Sequence, residues 1–301
     1  MIRAVRVPRF GGPEVLTVER LDPEAPGPGQ VRVAVRTAGL NPVDSSIRRG
    51  PNAYGFEPPL TNGRELAGVV ESVGPDVSRL APGDEVFGTI PIGAQAELVV
   101  ADEEQFALKP AALPWEVAGG LALAGQTAWD ELASQHVTAA DVVLVSAAAG
   151  GVGVIAAQLA LKLGAIVLGT ASERNHEFLR GLGVVPLAYG EGLRERLEQL
   201  PRVTVVLDHA GPETLRTALG LGVDPRRINT IATDPAPFGV QRVGRGPRDI
   251  RALSTLADLV VDGTLQVPVD STWAMDDVVD AYRRLEGRHL RGKVVLEIAA
   301  R

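Results

Sequence analysis

Hydrophobic and polar residues alternate with a period of two through much of the first 110 residues. The clearest case is 31–36, where valine occupies every second position. Such alternation is typical of half-buried β strands. Short stretches rich in proline and glycine separate the predicted strands, which cover 1–6, 31–36, 66–73, 83–88 and 94–100. The pattern predicts a partly open β barrel that contains no helix of any length.

The pattern changes after residue 110. Apolar residues recur at helical spacing over 114–133, but Gly119, Gly120 and Gly125 interrupt them, so we predict several helices there. From Val142 onward strands and helices alternate, which is typical of a doubly wound parallel sheet with right-handed crossovers. The predicted strands are 142–145, 166–170, 184–188, 203–208 and 228–233, and the predicted helices are 154–163, 175–182 and 248–262.

The last 40 residues leave this rhythm. A short strand is predicted over 266–269, a helix over 275–286 and a final strand over 293–298, with no helix after it. A strand that lacks a following helix does not continue a doubly wound sheet. We therefore expect these elements to return to the first domain.

A glycine-rich turn follows the strand at 142–145. The spacing Ala148-x-Gly150-x-x-Gly153 matches the dinucleotide-binding fingerprint, with alanine in place of the first glycine. Glycine lets a pyrophosphate approach the backbone, and the N-terminus of the next helix favours an anion. We predict that Ala149, Gly150, Gly151, Val152 and Gly153 bind a nucleotide; the alternative is a tight structural turn.

Composition excludes several classes of protein. The chain has 301 residues, 45% of them hydrophobic and 22% charged, as is ordinary for a globular protein. A net charge of −7 argues against nucleic-acid binding. Without cysteine there are no disulfides or thiolate metal sites. Neither a signal peptide nor an apolar run long enough for a membrane span is apparent, so we expect a cytoplasmic protein with no membrane partner.

Several ordered motifs resemble one family. They are Gly39-Leu40-Asn41-Pro42-Val43-Asp44, Gly63-Arg64-Glu65-Leu66-Ala67-Gly68, Gly125-x-Thr127-Ala128, Ala149-Gly150-Gly151-Val152-Gly153 and Gly292-Lys293-Val294-Val295-Leu296. The chain resembles the zinc-free quinone oxidoreductase branch of the medium-chain dehydrogenase/reductase superfamily. The resemblance implies an α/β fold: a Rossmann NADP-binding domain at 116–263, and a GroES-like β-barrel catalytic domain from 1–115 and 264–301. The active site would lie in the cleft between them.

The cofactor implied is NADPH. In NAD-binding members an acidic residue about 20 positions after the glycines holds the ribose 2′-hydroxyl. Here that position is Ser172, followed by Glu173, which we expect to point away, and by Arg174, whose guanidinium suits a 2′-phosphate. Alternatively, Ser172 caps the next helix and Arg174 is a solvated charge. The resemblance also assigns Lys293 to the cofactor site.

Zinc ligands are missing where zinc-dependent relatives have them. Asn41 stands at the position of the first ligand, and Arg64 lies in the stretch that would supply a histidine. The four histidines show no ligand spacing, so we predict that no metal is bound. His209 could approach the nicotinamide, although such a histidine is more often a hydrogen-bonded neighbour.

The resemblance implies that Asn41 and Thr127 are the catalytic residues, close to the nicotinamide and the acceptor. Alternatively, Asn41 closes an Asn-Pro turn and Thr127 bonds to its own helix backbone. Many relatives have a tyrosine shortly after Asp44, where this chain has two serines. Tyr54 could replace it or be an exposed loop aromatic, and Arg245 could border the cleft or be solvated. The sequence therefore does not identify the group that protonates the reduced acceptor.

Without a Lewis acid, dehydrogenation of simple alcohols is hard to support. Hydride transfer from NADPH to a quinone or an α,β-unsaturated carbonyl remains feasible, because the cofactor carries the chemistry. We therefore predict an NADPH-dependent reductase of such small molecules. The alternatives are an enoyl-thioester or polyketide-tailoring reductase and a non-catalytic NADPH-binding protein. A homodimer is expected by analogy with relatives.

Overall fold

The computed structural model describes residues 1–52, 54–243 and 249–298. Its strands, in chain order, are β1 (Ile2–Val7), β2 (Thr17–Leu21), β3 (Gln30–Leu40), β4 (Leu60–Thr61), β5 (Glu65–Val73), β6 (Glu85–Thr89), β7 (Leu98–Asp102), β8 (Phe106–Leu108), β9 (Val142–Val145), β10 (Ile166–Thr170), β11 (Val185–Leu187), β12 (Val205–Asp208), β13 (Ile228–Thr230), β14 (Gln241–Arg242), β15 (Val269–Ala274) and β16 (Lys293–Glu297). Its α helices are α1 (Pro42–Arg49), α2 (Trp115–Ser134), α3 (Gly151–Lys162), α4 (His176–Gly181), α5 (Leu193–Glu198), α6 (Pro212–Gly220), α7 (Ile250–Val261) and α8 (Val278–Glu286).

The barrel sheet is built around the long strand β3. In the described residues the strand order is β15-β16-β3-β5-β6-β8, and β7 also pairs with β3. The antiparallel β16–β3 pairing sets Val294 opposite Leu40. A smaller sheet, β2-β1-β4, packs beside it. The last strands of the chain therefore belong to the barrel, which brings Lys293 to the end of β3.

A parallel sheet forms the second layer system. Its order is β11-β10-β9-β12-β13-β14, and every pairing between these strands is parallel. The order reverses at β9, since the chain moves from β9 to β10 on one side and later to β12 on the other. Such a switch point opens a crevice at the carboxyl ends of the strands. The predicted fold class, a Rossmann sheet with a GroES-like barrel, is confirmed.

One helix interrupts the barrel, where the alternation predicted none. Helix α1 starts at Pro42, directly after β3, and Asp44 accepts a hydrogen bond from the Asn41 backbone N–H at 2.9 Å. Proline at the first helical position and a capping carboxylate both favour helix initiation. The prediction was wrong because eight residues are too few to display a helical period, whereas capping acts locally.

The glycines of α2 do not break it. The structure has one helix from Trp115 to Ser134 instead of the several predicted. A Cβ at Gly119 would clash with the Thr37 side chain, and one at Gly120 would lie 3.2 Å from Lys293 Cβ. These glycines let β3 and β16 approach the helix axis, and the resulting packing outweighs the low helix propensity of glycine.

Two predicted strands are displaced. The strand predicted over 266–269 begins only at Val269, because the Gln158 side chain occupies both backbone groups of Gln266 at 2.8 Å each. The strand predicted over 94–100 runs instead over Leu98–Asp102. Preceding residues bond elsewhere: Gln95 N donates to Asn62 O over 3.0 Å. Short elements such as β2, β14, α5 and α6 were not predicted.

Helix α2 joins the two halves. Its Leu121 belongs to a continuous apolar core that includes Ala67 and Phe87 from the barrel strands and Val143 and Leu256 from the half that contains the parallel sheet. Because α2 is buried on both sides, it links barrel and parallel sheet mechanically. None of the helices in the described part of the chain combines the length and the hydrophobicity that a membrane span requires.

Candidate active site

The turn after β9 leads from sheet to helix with little room for side chains. Gly150 caps α3, and Val154 N donates to Gly150 O over 3.0 Å. A Cβ on Gly153 would clash with Ala147 O and lie 2.9 Å from Ala148 Cα. Ala147 itself has φ +48°, which is uncommon for a residue with a side chain. The first N–H groups of α3 have no partner within the helix, so this turn has the form of an anion site.

Strand β16 begins against this turn. Gly292 N donates to Ala149 O over 2.8 Å, and a Cβ on Gly151 would lie 2.8 Å from Lys293 Cδ. Val152, also predicted to bind the cofactor, packs partly buried against the main apolar core. The structure thus brings together the five turn residues and Lys293, which are far apart in the sequence.

The Lys293 ammonium ends in a buried polar cluster. Its Nζ donates to Asn41 Oδ1 at 2.6 Å, Glu65 Oε1 at 2.7 Å and Leu40 O at 3.3 Å. Asn41 Nδ2 donates to Glu65 Oε1 at 2.7 Å, and Leu123 N of α2 donates to Glu65 Oε2 at 2.8 Å. Buried charges require such pairing and hydrogen bonding. Glu65 is the acceptor that these donors share. The sequence analysis includes Glu65 in a motif but assigns it no role.

Asp44 adjoins this cluster in a fully buried position. Its Oδ2 accepts from Asn41 N, while Oδ1 has no hydrogen-bond partner among the described residues. Burial, together with the negative charge of Glu65, raises the pKa of Asp44 to about 7 against the opposing effect of Asn41 N–H, Lys293 and Arg64. Asp44 therefore changes its charge near neutral pH.

A buried tyrosine of α8 lies behind Asp44. The Tyr282 hydroxyl accepts from Asn62 Nδ2 and Gln95 Nε2, each at 2.8 Å. Burial and the nearby charge of Asp44 raise the pKa of Tyr282 well above its usual value. This phenol is enclosed in the barrel core, so it does not stand in for the tyrosine that many relatives carry after Asp44.

Thr127 lies on α2, one turn after Leu123, whose backbone N–H donates to Glu65. Its hydroxyl donates to Leu123 O at 2.7 Å, which is the hydrogen bond to its own helix backbone that the sequence analysis gives as the alternative. The hydroxyl oxygen keeps its capacity to accept a hydrogen bond. Asn41 likewise has both of its amide groups engaged, so the catalytic roles of Asn41 and Thr127 stay predictions.

His209 is sealed at the carboxyl end of β12. Its Nε2 lies 2.8 Å from Glu131 Oε2 on α2, and its Nδ1 lies 2.9 Å from Ser146 O. Burial alone would lower the pKa of His209, but the charges of Glu131 and Asp208 outweigh it and raise that pKa. His209 is thus a hydrogen-bonded neighbour of the glycine-rich turn.

Side-chain hydrogen bonds also connect the carboxyl ends of β9, β12 and β13 at the switch point. Ser146 Oγ donates to Asp208 Oδ1 at 2.9 Å, and Thr230 Oγ1 donates to Asp208 Oδ2 at 2.7 Å. Backbone N–H groups of Ala210 and Gly211 also donate to Asp208. This network, which the sequence pattern did not reveal, holds the ends of β9, β12 and β13 in register.

Ser172 and Arg174 lie just beyond the end of β10. Ser172 starts a short 3₁₀ turn, with Asn175 N donating to Ser172 O at 2.8 Å. Arg174 is exposed, and within the described chain its guanidinium has no hydrogen-bonding or ion-pair partner. Ser172 thus occupies the N-cap position but makes no side-chain capping hydrogen bond, and the Arg174 guanidinium beside it is available.

A second arginine, missed by sequence reasoning, stands beside Arg174. Arg291 Nε donates to Asn175 Oδ1 at 3.1 Å, and its guanidinium lies 4.7 Å from the Phe178 ring centroid. Arg174 and Arg291 line the same surface cavity of about 380 Å³ with Asp270, whose carboxylate is taken by Arg284 at 2.6 Å. The sequence contained one indication of this role, because Arg291 directly precedes the Gly292-Lys293 motif.

Arg64 and Tyr54 form a pair on the barrel side. The Arg64 guanidinium carbon lies 4.5 Å from the centroid of the Tyr54 ring, and Tyr54 is 36% exposed. Such a stack orients a guanidinium without neutralising it. Arg245 lies outside the described residues. Over the described chain, no group of three or more metal-ligating acidic or histidine side chains occurs.

Two family matches cover much of the chain. Residues 27–133 match the alcohol dehydrogenase GroES-like domain, and residues 189–296 match the family described as zinc-binding dehydrogenase. Two solved structures superpose over 99% of the chain: the quinone oxidoreductase from Coxiella burnetii (TM-score 0.91, 28% identity, 99% of that chain) and mycobacterial Rv1454c complexed with NADPH (TM-score 0.87, 29% identity, 100% of that chain).

Curated relatives are of two kinds. The chain is 36% identical to polyketide synthase GfsB of Streptomyces halstedii over 90% of its own length but only 5% of that protein. It is 31% identical to the quinone oxidoreductase of Pseudomonas aeruginosa over 98% of its own length and 99% of that enzyme. With fold, motifs and full-length similarity in agreement, the chain belongs to the quinone oxidoreductase branch of the medium-chain dehydrogenase/reductase superfamily.

Proposed function

We propose that this oxidoreductase uses NADPH to reduce a quinone or an α,β-unsaturated carbonyl, without zinc. The single observation that carries the proposal is that the Lys293 side chain connects the glycine turn with the polar cluster of the barrel. Its stem packs on the glycine turn, and its ammonium ends at Asn41 and Glu65. The nucleotide-binding turn and the polar cluster of the barrel are therefore neighbours, as a hydride transfer between cofactor and substrate requires.

The turn suits a dinucleotide because its glycines have no side chains and the start of α3 can pack closely on the backbone before it. Gly151 lets the turn lie against the Lys293 side chain, Gly153 lets α3 lie against the Ala147 backbone, and the N–H groups of α3 favour a pyrophosphate. For the 2′-phosphate of NADPH, Ser172 offers no repelling charge, and Arg174 and Arg291 offer forked donors. When bound, the cofactor supplies the hydride. The choice of NADPH over NADH rests on these three side chains.

The acceptor must already be electron-poor. Asn41 and Arg64 stand where zinc-dependent relatives carry ligands, so the barrel offers hydrogen-bond donors and positive charge in place of a Lewis acid. The acceptor carbon gains the hydride, its C=C pair shifts towards the carbonyl oxygen, and a solvent proton neutralises the resulting anion. Asn41 and Thr127 serve to position the acceptor and the carboxamide.

Calorimetry and steady-state assays test the proposal. We expect NADPH to bind at least about tenfold more tightly than NADH, and Arg174→Ala to remove that preference, because a charge-assisted hydrogen bond contributes about 1.5–3 kcal/mol. Arg180→Ala, on exposed α4, is the matched control. NADPH oxidation with quinones and enones should survive a chelator. Equal affinity for both coenzymes, or turnover that needs zinc, would contradict the proposal.

A second candidate is reduction of an enoyl thioester. The observation that favours it is the 36% identity to a segment of polyketide synthase GfsB. Comparing kcat/KM for an enoyl thioester with that for a quinone distinguishes the two functions. Tight NADPH binding with no turnover of either acceptor would instead favour the non-catalytic NADPH-binding alternative.

Two further expectations belong to the same proposal. We place the catalytic domain at 1–115 and 264–301 and the NADP-binding domain at 116–263. We also propose a homodimer through the edge strand β14, whose outer side is unpaired in the described sheet. Light scattering that gives a monomer mass at micromolar concentration would refute the dimer.

A further inference from the structure

Most donors near the polar cluster are already in use. Lys293 has three N–H donors, and Leu40 O, Asn41 Oδ1 and Glu65 Oε1 take all of them. The hydroxyl hydrogen of Thr127 goes to Leu123 O. Tyr282 and His209 are enclosed by their partners. An acceptor oxygen that becomes negative during reduction therefore needs a donor from elsewhere.

Arg64 has donors to spare. Its Nε is buried without a hydrogen-bond partner, and within the described chain no carboxylate lies close enough to pair with its guanidinium. By contrast, the buried Arg48 is paired with Glu286 at 2.5 Å, and Lys293 with Glu65 at 2.7 Å. A buried guanidinium donor without a hydrogen-bond partner is costly, and a ligand that accepts a hydrogen bond from it would remove that cost.

The position of Arg64 suits that use. It directly precedes Glu65 in the chain, and it is one of the charges that act on Asp44. Its side chain is stacked on Tyr54, which leaves the edge of the guanidinium plane available. Arg64 therefore combines location, charge and free donors.

We infer that Arg64, oriented by Tyr54, donates hydrogen bonds to the acceptor oxygen on which negative charge develops. The inference rests on the proposed function and names the group that replaces a Lewis acid. The C4–H bond of the dihydronicotinamide breaks as the acceptor's new C–H bond forms. The displaced π pair goes to the oxygen held by Arg64, and water donates the final proton. NADPH is oxidised to NADP⁺ and the acceptor is reduced by two electrons.

Kinetics of Arg64 variants test this role. We expect Arg64→Gln to lower kcat by about 100-fold, because removing one oxyanion donor typically has that effect. NADPH affinity should stay unchanged. Arg64→Lys should retain more activity than Arg64→Gln, and added guanidinium should partly rescue Arg64→Ala. Arg49→Gln, whose exposed guanidinium pairs with Glu286 at 2.8 Å, is the matched control and should behave as wild type.

Neutral and carboxylated acceptors of the same size separate two roles for Arg64. If Arg64→Gln raises KM only for carboxylated acceptors and leaves kcat unchanged, Arg64 anchors substrate charge and the inference is wrong. If wild type turns over quinones and Arg64→Gln matches it with both acceptors, the inference fails while the proposed function stands.

An ionisable dead-end ligand provides a readout without turnover. 4-Nitrophenol absorbs differently as phenol and phenolate, so its ionisation can be followed when it is bound beside NADP⁺. We expect wild type and Arg49→Gln to bind the phenolate at least tenfold more tightly than Arg64→Gln binds it. Equal phenolate affinity in all three proteins, or no binding to wild type, overturns the inference even if no acceptor is turned over.

Discussion

At the scale of single residues, the site is governed by buried charge. Glu65 accepts hydrogen bonds from Lys293, Asn41 and Leu123, which come from a terminal strand, a helix cap and α2. A carboxylate with this many donors is stable in an apolar interior only while its partners remain. Removing one partner leaves an uncompensated charge, which gives these residues large and measurable effects.

Replacing Glu65 with glutamine should destabilise the fold. We expect Glu65→Gln to lower the free energy of unfolding by about 3–5 kcal/mol, because the Lys293 ammonium would stay buried without an opposite charge. Urea denaturation measures the change. Glu19→Gln, whose carboxylate is exposed and 3.7 Å from Arg6, should cost less than about 1 kcal/mol. Losses of equal size in the two variants would contradict the argument.

Asp44 should make stability depend on pH. Its pKa rises from 3.8 to about 7 on folding, so between these values the folded state holds a proton that the unfolded state has lost. Stability from this group is therefore present at pH 4 and is lost as pH rises to 7, by up to about 4 kcal/mol. Asp44→Asn should match wild type near pH 4 and exceed it at pH 8. Urea denaturation across pH checks this; parallel pH profiles of the two proteins would refute it.

At the scale of elements, glycines decide how closely helices approach strands. In α2 they admit β3 and β16, and in the turn before α3 they bring the helix end onto the backbone at Ala147. If the start of α3 lay further from the Ala147 backbone by the size of one methyl group, the free N–H groups at the start of the helix would be displaced by the same distance. Packing density and the proposed binding of an anion by these N–H groups therefore depend on the same positions.

Gly153→Ala should weaken both stability and cofactor binding. The new Cβ would clash with Ala147 O and lie 2.9 Å from Ala148 Cα, both of them backbone atoms that cannot move aside. We expect a loss of about 1–3 kcal/mol in stability and at least about tenfold in NADPH affinity. Gly181→Ala in α4, where a Cβ would meet nothing within 4 Å, is the control and should leave both unchanged. Calorimetric titration and thermal melts decide between these outcomes.

At the scale of the whole molecule, α2 makes one folding unit of two halves. The apolar core continues from the barrel through α2 into the parallel sheet, and the Asn41–Glu65–Lys293 cluster sits on the same boundary. A boundary of this kind transmits loss of structure from one half to the other. The cleft should therefore be a rigid site and not a hinge between independent domains.

Thermal unfolding should show one cooperative transition. We expect Leu121→Ala, in the buried middle of α2, to lower the stability of the whole chain by about 2–5 kcal/mol and to keep a single calorimetric peak. Differential scanning calorimetry, with NADPH absent, measures this. Two resolved peaks in wild type, or a shift of only one of two peaks in the variant, would contradict a shared core.

The sequence by itself determined the features that act over a few residues. Strand alternation, the change of period after residue 110 and the glycine spacing were enough for the fold class and for the sharp turn between β9 and α3, because periodicity and turn chemistry are local. The short helix α1 and the continuity of α2 were not predicted, because capping and tertiary packing outweigh the hydrophobic pattern at these positions.

Only the tertiary structure decided how charges are partnered. Lys293 and Glu65 are 228 residues apart, and their pairing depends on β16 returning to β3. The same folding leaves Arg64 stacked on Tyr54, with no carboxylate of the described residues paired to it. A local pattern can supply an arginine, but whether its charge is neutralised depends on which distant chain segments fold against it.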